Sequence, residues 1–196
     1  MYFPRSVRFL FLVNNMKLDE KTVKINYVYK GRIINVRNDD AELPNGKPCK
    51  REIVEHPGGV CVAALTENDE LLFVRQFRYP YMAVIPELPA GKLERGEDPF
   101  ETGKRELEEE TGHTAGEYID LGKFYPSPGY CCEIIHLYAA KELEFTHQHL
   151  DEDEFLNVER IPLDKAVEMV MNNEIKDGKS QAAVLKVKML KDKGQW

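Results

Sequence analysis

Five glutamates, Glu101, Glu106, Glu108, Glu109 and Glu110, crowd one short stretch of this 196-residue chain, and that stretch carries its own helix signals. Asp98 can cap the start, Pro99 suits the first helical position, and Glu101 stands at the capping-box spacing from Asp98. Gly112 fits the left-handed residue that closes the other end. On such a helix Glu106 and Glu110 share a face, with Glu109 close beside them. Like charges so placed repel, so a helix with no other purpose would avoid the arrangement. A divalent cation removes the conflict, and hard carboxylate oxygens suit magnesium or manganese.

The segment from Gly91 to Gly112 resembles the Nudix box of the Nudix hydrolases. That box is a glycine, five residues, Glu, seven residues, then Arg-Glu-aliphatic-any-Glu-Glu-any-Gly-aliphatic. Gly91, Glu97, Arg105, Glu106, Leu107, Glu109, Glu110 and Gly112 all match. Seven fixed identities at about 6% usage each give a chance match on the order of 10⁻⁹ per starting position, so composition alone does not produce it. The one departure is His113, where the family has an aliphatic residue; it bears on packing at the helix end and leaves the chemistry alone. The box implies hydrolysis of a diphosphate linked to another moiety. It implies Mg2+, with Mn2+ as the alternative, held by Glu106 and Glu110. Glu109 ligates or supports a ligand, and the main-chain carbonyl of Ala90 joins the shell. Arg105 is expected to tie the helix to the preceding loop through Glu97; Glu97 serves there or in the outer metal shell.

The flanks are similar to the ADP-ribose pyrophosphatase branch of that family. The similar segments start at Tyr29, Lys50 and Val74, and Pro128 lies 16 residues beyond Gly112, about where the branch carries a proline. Together they cover about residues 18 to 190. The resemblance implies magnesium-dependent hydrolysis of ADP-ribose to AMP and ribose 5-phosphate. It places Arg78 on the diphosphate, Arg51 and Glu52 as a substrate-contacting pair, and Glu87 as a substrate-side carboxylate. Arg32 falls where the branch packs adenine, and a guanidinium plane can stack on a base; Tyr27 and Tyr29 are the nearby alternatives. The acidic loop 151–154 resembles the one that supplies a catalytic glutamate, which selects Glu154 as general base and Glu152 as runner-up. In the branch the N-terminal strands of one subunit complete its partner's site, so a homodimer is implied. Two rival functions stand beside this one. A related enzyme would use another nucleotide sugar such as GDP-mannose, and a non-catalytic nucleotide-sensing module would dispense with box carboxylates that this chain keeps.

Composition narrows the partners. With 27 basic against 34 acidic side chains the net charge is -7, which argues against broad electrostatic binding to nucleic acid or anionic membrane. The expected partner is a small nucleotide sugar. Cys49, Cys61, Cys131 and Cys132 have no zinc-type spacing and read as thiols in a reducing compartment, hence a cytoplasmic expectation. The histidines offer only His147-x-His149, read as loop residues. Residues 9–13 are apolar behind Arg5 and Arg8, but too short for a signal peptide core or a membrane span.

The elements that must position these groups follow from periodicity. Residues 1–15 read as a tail outside the fold, 16–56 as N-terminal strands that serve dimerisation, and 57–196 as the hydrolase domain. Strands are expected over 24–29, 33–36, 51–54, 60–65, 71–77 and 85–88, then over 117–124, 133–140 and 155–161 beyond the Glu-rich helix. Two C-terminal helices fit 163–172 and 180–191. Interleaved strands and helices argue for an α/β protein: an α/β/α sandwich around a mixed sheet, with a small N-terminal antiparallel β element. The Nudix resemblance implies the same architecture.

Overall fold

A computed structural model describes residues 17–94, 96–150 and 154–196. The expected tail at 1–15 lies outside the described residues. The chain opens with an antiparallel sheet of β1 (Lys21–Lys24), β2 (Tyr27–Lys30), β3 (Asn35–Glu42) and β4 (Pro48–Glu55). β4 runs along the whole of β3, while β1 and β2 share the other edge of β3. The single strand expected over 24–29 is therefore broken in two. Asn26 breaks it: its main-chain N–H donates to Asp39 Oδ1 at 3.0 Å, and its side-chain amide donates to Asn38 O and Asp40 Oδ2. An asparagine side chain that takes over such bonds interrupts the ladder, and the register shifts there.

The centre of the molecule is β5 (Gly59–Ala64), all six residues of which are buried. It pairs in parallel with β10 (Ile135–Phe145) and antiparallel with β8 (Ala90–Lys92), while β10 pairs antiparallel with β9 (His113–Phe124). A strand covered on both faces reads as a continuous apolar run, which is why 60–65 lacks alternation. A second sheet, order β11-β6-β7, comprises β11 (Leu156–Pro162), β6 (Glu70–Arg78) and β7 (Ala83–Glu87), all antiparallel. The central layer thus consists of one mixed and one antiparallel sheet, joined through the Leu65–Leu71 bridge.

Helix α1 (Pro99–Thr111) covers one face, where Leu107 packs with Val60, Val62, Ala64, Leu72 and Tyr138. Helices α2 (Leu163–Met171) and α3 (Gly178–Asp192) cover the other, where Ala166, Ala183 and Val187 meet Cys61, Phe73 and Leu137. Adjacent residues of β5 serve opposite cores, so this one strand fixes the helices on both sides relative to each other. α3 starts two residues before its expected position because Asp177 caps it, accepting from Ser180 N at 3.0 Å.

Candidate active site

The Glu-rich helix is delimited by the signals read from its sequence. Asp98 accepts from the N–H groups of Phe100 and Glu101, Pro99 opens the helix, and Gly112 closes it at φ 70 with its N–H on Glu108 O. The reciprocal half of the capping box is replaced by a different contact, since Glu101 pairs with Lys104 at 3.0 Å. His113 fits the helix end as a buried ring edge-on to Phe145, with Nδ1–H donating to Thr111 O at 2.8 Å.

Glu106 and Glu110 point inward, 8% and 3% exposed, against the start of β8, which carries Ala90 and Gly91. Ala90 N–H donates to Glu110 Oε2 at 2.9 Å. Gly91 allows the close approach: a Cβ there would lie 1.9 Å from the carboxyl carbon of Glu106. Burial pushes Glu106 up to about 7, with Glu109 and Glu154 adding and Arg105 opposing. Burial likewise pushes Glu110 up to about 8, with Glu106 and Glu154 adding and the Ala90 N–H opposing. Two buried carboxylates that resist ionising together are suited to a divalent cation, whose charge would stabilise both anions. Among the described residues no three acidic, histidine or cysteine side chains already converge as a cation cage. Glu109 is turned instead toward Arg105, at 2.6 Å. Arg105 also reaches Glu97 at 3.2 Å and Glu106 at 2.9 Å, so one guanidinium links helix and loop through three carboxylates. Glu97 in turn accepts from the Glu94 N–H.

Glu154 stands near enough to raise both buried glutamates. Glu152 lies outside the described residues. The stretch leading toward Glu154 is tied to the last turn of α1. Gln148 Nε2 donates to Glu110 O at 2.6 Å, His149 N to Glu109 O at 3.1 Å, and Thr146 N to Gly112 O at 2.7 Å. Carbonyls at a helix end need such donors, and here they come from the loop that approaches the site.

Arg78, at the end of β6, is near enough to favour the ionised form of Glu110. Its Nε and Nη2 donate to Glu87 at 2.5 and 2.8 Å. Burial would raise Glu87, but Arg78 and Lys179 outweigh it and hold its carboxyl below the usual range. Lys179 is absent from the residues that the sequence singles out, because no spacing connects position 179 with position 87; it contacts Glu87 and, at 3.0 Å, Asp177. Arg32, Arg51 and Glu52 remain on the N-terminal sheet side of the molecule. Arg51 pairs with Glu20 at 2.5 Å, Arg32 is exposed, and Glu52 lines a concavity of about 300 Å³ with Val28, Arg37 and Tyr130. Pro128 sits in the bend whose Tyr130 O accepts from Val54 N at 2.7 Å, docking that bend on the end of β4.

Residues 55–183 match the NUDIX domain family, and residues 20–54 match the nucleoside diphosphate sugar hydrolase N-terminal domain. The chain is similar to an ADP-ribose pyrophosphatase of Bacillus subtilis (strain 168), 46% identical over 169 residues that cover 85% of this chain and 91% of that one. It is similar at the same 46%, over 168 residues covering 85% and 91%, to a methanol dehydrogenase activator of Bacillus methanolicus. Its fold matches a crystal structure of an ADP compounds hydrolase with a TM-score of 0.80, at 23% identity, over 92% of this chain and 99% of that one.

Proposed function

The chain belongs to the NUDIX family as a hydrolase, and we propose that it hydrolyses ADP-ribose to AMP and ribose 5-phosphate with magnesium as its cation. The observation that carries this reading is the buried pair Glu106 and Glu110 packed against Ala90 and Gly91, with Arg78 near enough to favour the ionised form of Glu110. It stands in a chain nearly half identical to an ADP-ribose pyrophosphatase. Glu106 and Glu110, with Glu109 and the Ala90 carbonyl, would hold the cation. When bound, the cation supplies charge neutralisation at the phosphate oxygens and a lower pKa for attacking water. Arg78 turns one guanidinium edge to Glu87 and offers the other to the diphosphate. Glu154 takes the proton of the attacking water, as a base carried on a chain segment rooted at the metal helix.

Arg32, Arg51 and Glu52 act from the partner subunit of a homodimer, with Arg32 stacked on adenine. Support comes from β1 and β2, whose residues are exposed throughout, including Val23, Tyr27, Val28 and Tyr29. An apolar surface of that kind is suited to a second copy. Residence in the cytoplasm belongs to the same reading and is supported by cysteines that are all unbridged. Among the described residues no helix is long and apolar enough to cross a membrane.

The test is a substrate panel at saturating magnesium with AMP and ribose 5-phosphate identified as products. ADP-ribose should show a higher kcat/KM than GDP-mannose or a nucleoside triphosphate, and a clear preference for GDP-mannose would overturn the assignment. The relative named as a methanol dehydrogenase activator favours a second reading, in which this chain alters the activity of a dehydrogenase. Adding the protein and its Glu106→Gln variant to a methanol dehydrogenase assay tests it: a gain with the unaltered protein alone supports activation that depends on hydrolysis.

A further inference from the structure

Arg78, Glu87, Lys179 and Asp177 form a row of alternating charge between the end of β6 and the start of α3. Glu87 is 2% exposed and accepts one edge of the Arg78 guanidinium through both oxygens. Nη1 takes no part in that pair, and the Arg78 side chain stays 38% exposed. The Lys179 side chain is only 11% exposed and reaches the same Glu87 oxygen that binds Nη2. Lys179 is not on a loose loop. Asp177, its second partner, caps α3, and Ser180 Oγ accepts from Leu88 N at 2.8 Å, which fixes α3 to the strand end that carries Glu87.

A buried carboxylate facing a lone arginine cancels that arginine's charge, and an anion arriving on the far side meets a neutral pair. Here two cations face two anions. Without the lysine, Glu87 and Asp177 would leave a net negative charge beside an incoming diphosphate, in a setting where charge is poorly screened. We propose that Lys179 is a positioning residue for diphosphate binding. Acting through Glu87, it holds Arg78 with one guanidinium edge open and cancels the negative charge that Glu87 and Asp177 would otherwise set against the substrate. The proposal rests on the reading of Arg78 as a diphosphate contact.

The experiment compares the full chain with Lys179→Met, Lys179→Gln, Arg78→Gln and the Arg78→Gln/Lys179→Met double variant, using ADP-ribose at saturating magnesium. Lys179→Met should raise KM about 10-fold, the effect typical of losing an outer-shell support, with kcat within about twofold. The inhibition constant of inorganic diphosphate should rise in step, while that of adenosine, which lacks a phosphate, should not move. Lys179→Gln retains a hydrogen-bond donor without the charge, and it carries the test if the methionine variant fails to fold. The double variant should be weaker than Arg78→Gln alone, because Glu87 and Asp177 then have no cation, but by less than the product of the two single losses, because the part of the Lys179 effect that acts through Arg78 is already gone. A raised KM in Arg78→Gln with an unchanged KM in both lysine variants overturns the proposal, as does equal weakening of adenosine and diphosphate. An unchanged KM in Arg78→Gln overturns the role of Arg78 and the proposal with it. Failure of the unaltered chain to hydrolyse ADP-ribose would instead strike the functional reading itself.

Discussion

Glu106 and Glu110 carry two demands at once, since burial favours their neutral forms while cation binding needs them ionised. Each has a folded pKa above the ordinary carboxylate value of 4.5, about 7 for Glu106 and about 8 for Glu110. A carboxyl raised in the folded state binds protons more readily there than in the unfolded chain. Its contribution is most favourable at low pH and is lost as pH rises through the folded value. Metal-free protein should therefore lose stability between about pH 5 and pH 8. Glu87 works in the opposite direction, but its pKa is lowered and its window lies below 4.5. His136, lowered by burial, also opposes the trend; comparison with the Glu106→Gln/Glu110→Gln double variant removes its share. Thermal melts should show a falling Tm over that range in the metal-free wild type, a flatter profile in the double variant, and recovery on adding magnesium in the wild type alone. A flat wild-type profile would contradict the buried pair. Either single substitution should lower turnover by orders of magnitude while the fold persists. At Glu154, loss of a base acting on water should cost about 10²- to 10⁴-fold in kcat with little change in KM. Glu152→Gln is the control, and its loss of activity beside an active Glu154→Gln would move the base by two residues.

At the scale of elements, α1 is legible in the amino-acid sequence because both its ends are written in residue types. Asp98, Pro99 and Gly112 act locally, through bonds within a turn of the chain. The break between β1 and β2 is not legible there, because Asn26 is satisfied by Asp39 and Asp40 from a different strand. The same holds for the division of the central layer into two sheets, and for Lys179 on Glu87, which come together only after the chain has folded back 92 positions. Gly91 lies between these cases, since the box spacing names it while only the fold shows what its missing side chain makes room for. Gly91→Ala should displace the Glu106 carboxyl, whose atoms occupy the place a Cβ would take. Activity at saturating magnesium should then fall further than stability does. Asp98→Ala offers the contrast, expected to cost about 1 kcal/mol of stability through the lost cap while a folded enzyme keeps its kcat. A Gly91→Ala enzyme with wild-type turnover would show that the close approach of α1 and β8 is not needed for the chemistry.

The whole molecule poses the question of where the N-terminal sheet works. Its link to the rest of its own subunit includes Val54, bonded to Tyr130 and Cys132, while β1 and β2 stand in solvent with apolar side chains outward. Arg51 points to Glu20 and not to the box. If the sheet completes the site of a partner, Arg51 and Glu106 of one chain serve different active sites, and a mixing experiment can tell. Arg51→Gln and Glu106→Gln should each be poorly active as homodimers at low substrate. In a heterodimer of the two, both lesions fall on one site and the other site is intact. Random exchange of equal amounts makes about half of the dimers mixed, each with one of two sites restored, so activity should return to about a quarter of wild type in a two-fold symmetric assembly. If the sheet serves its own subunit, each site of the heterodimer keeps one lesion and mixing restores nothing. Sedimentation run in parallel should show dimers before and after exchange. A monomer that is fully active at assay concentration would exclude the shared site whatever the mixing result.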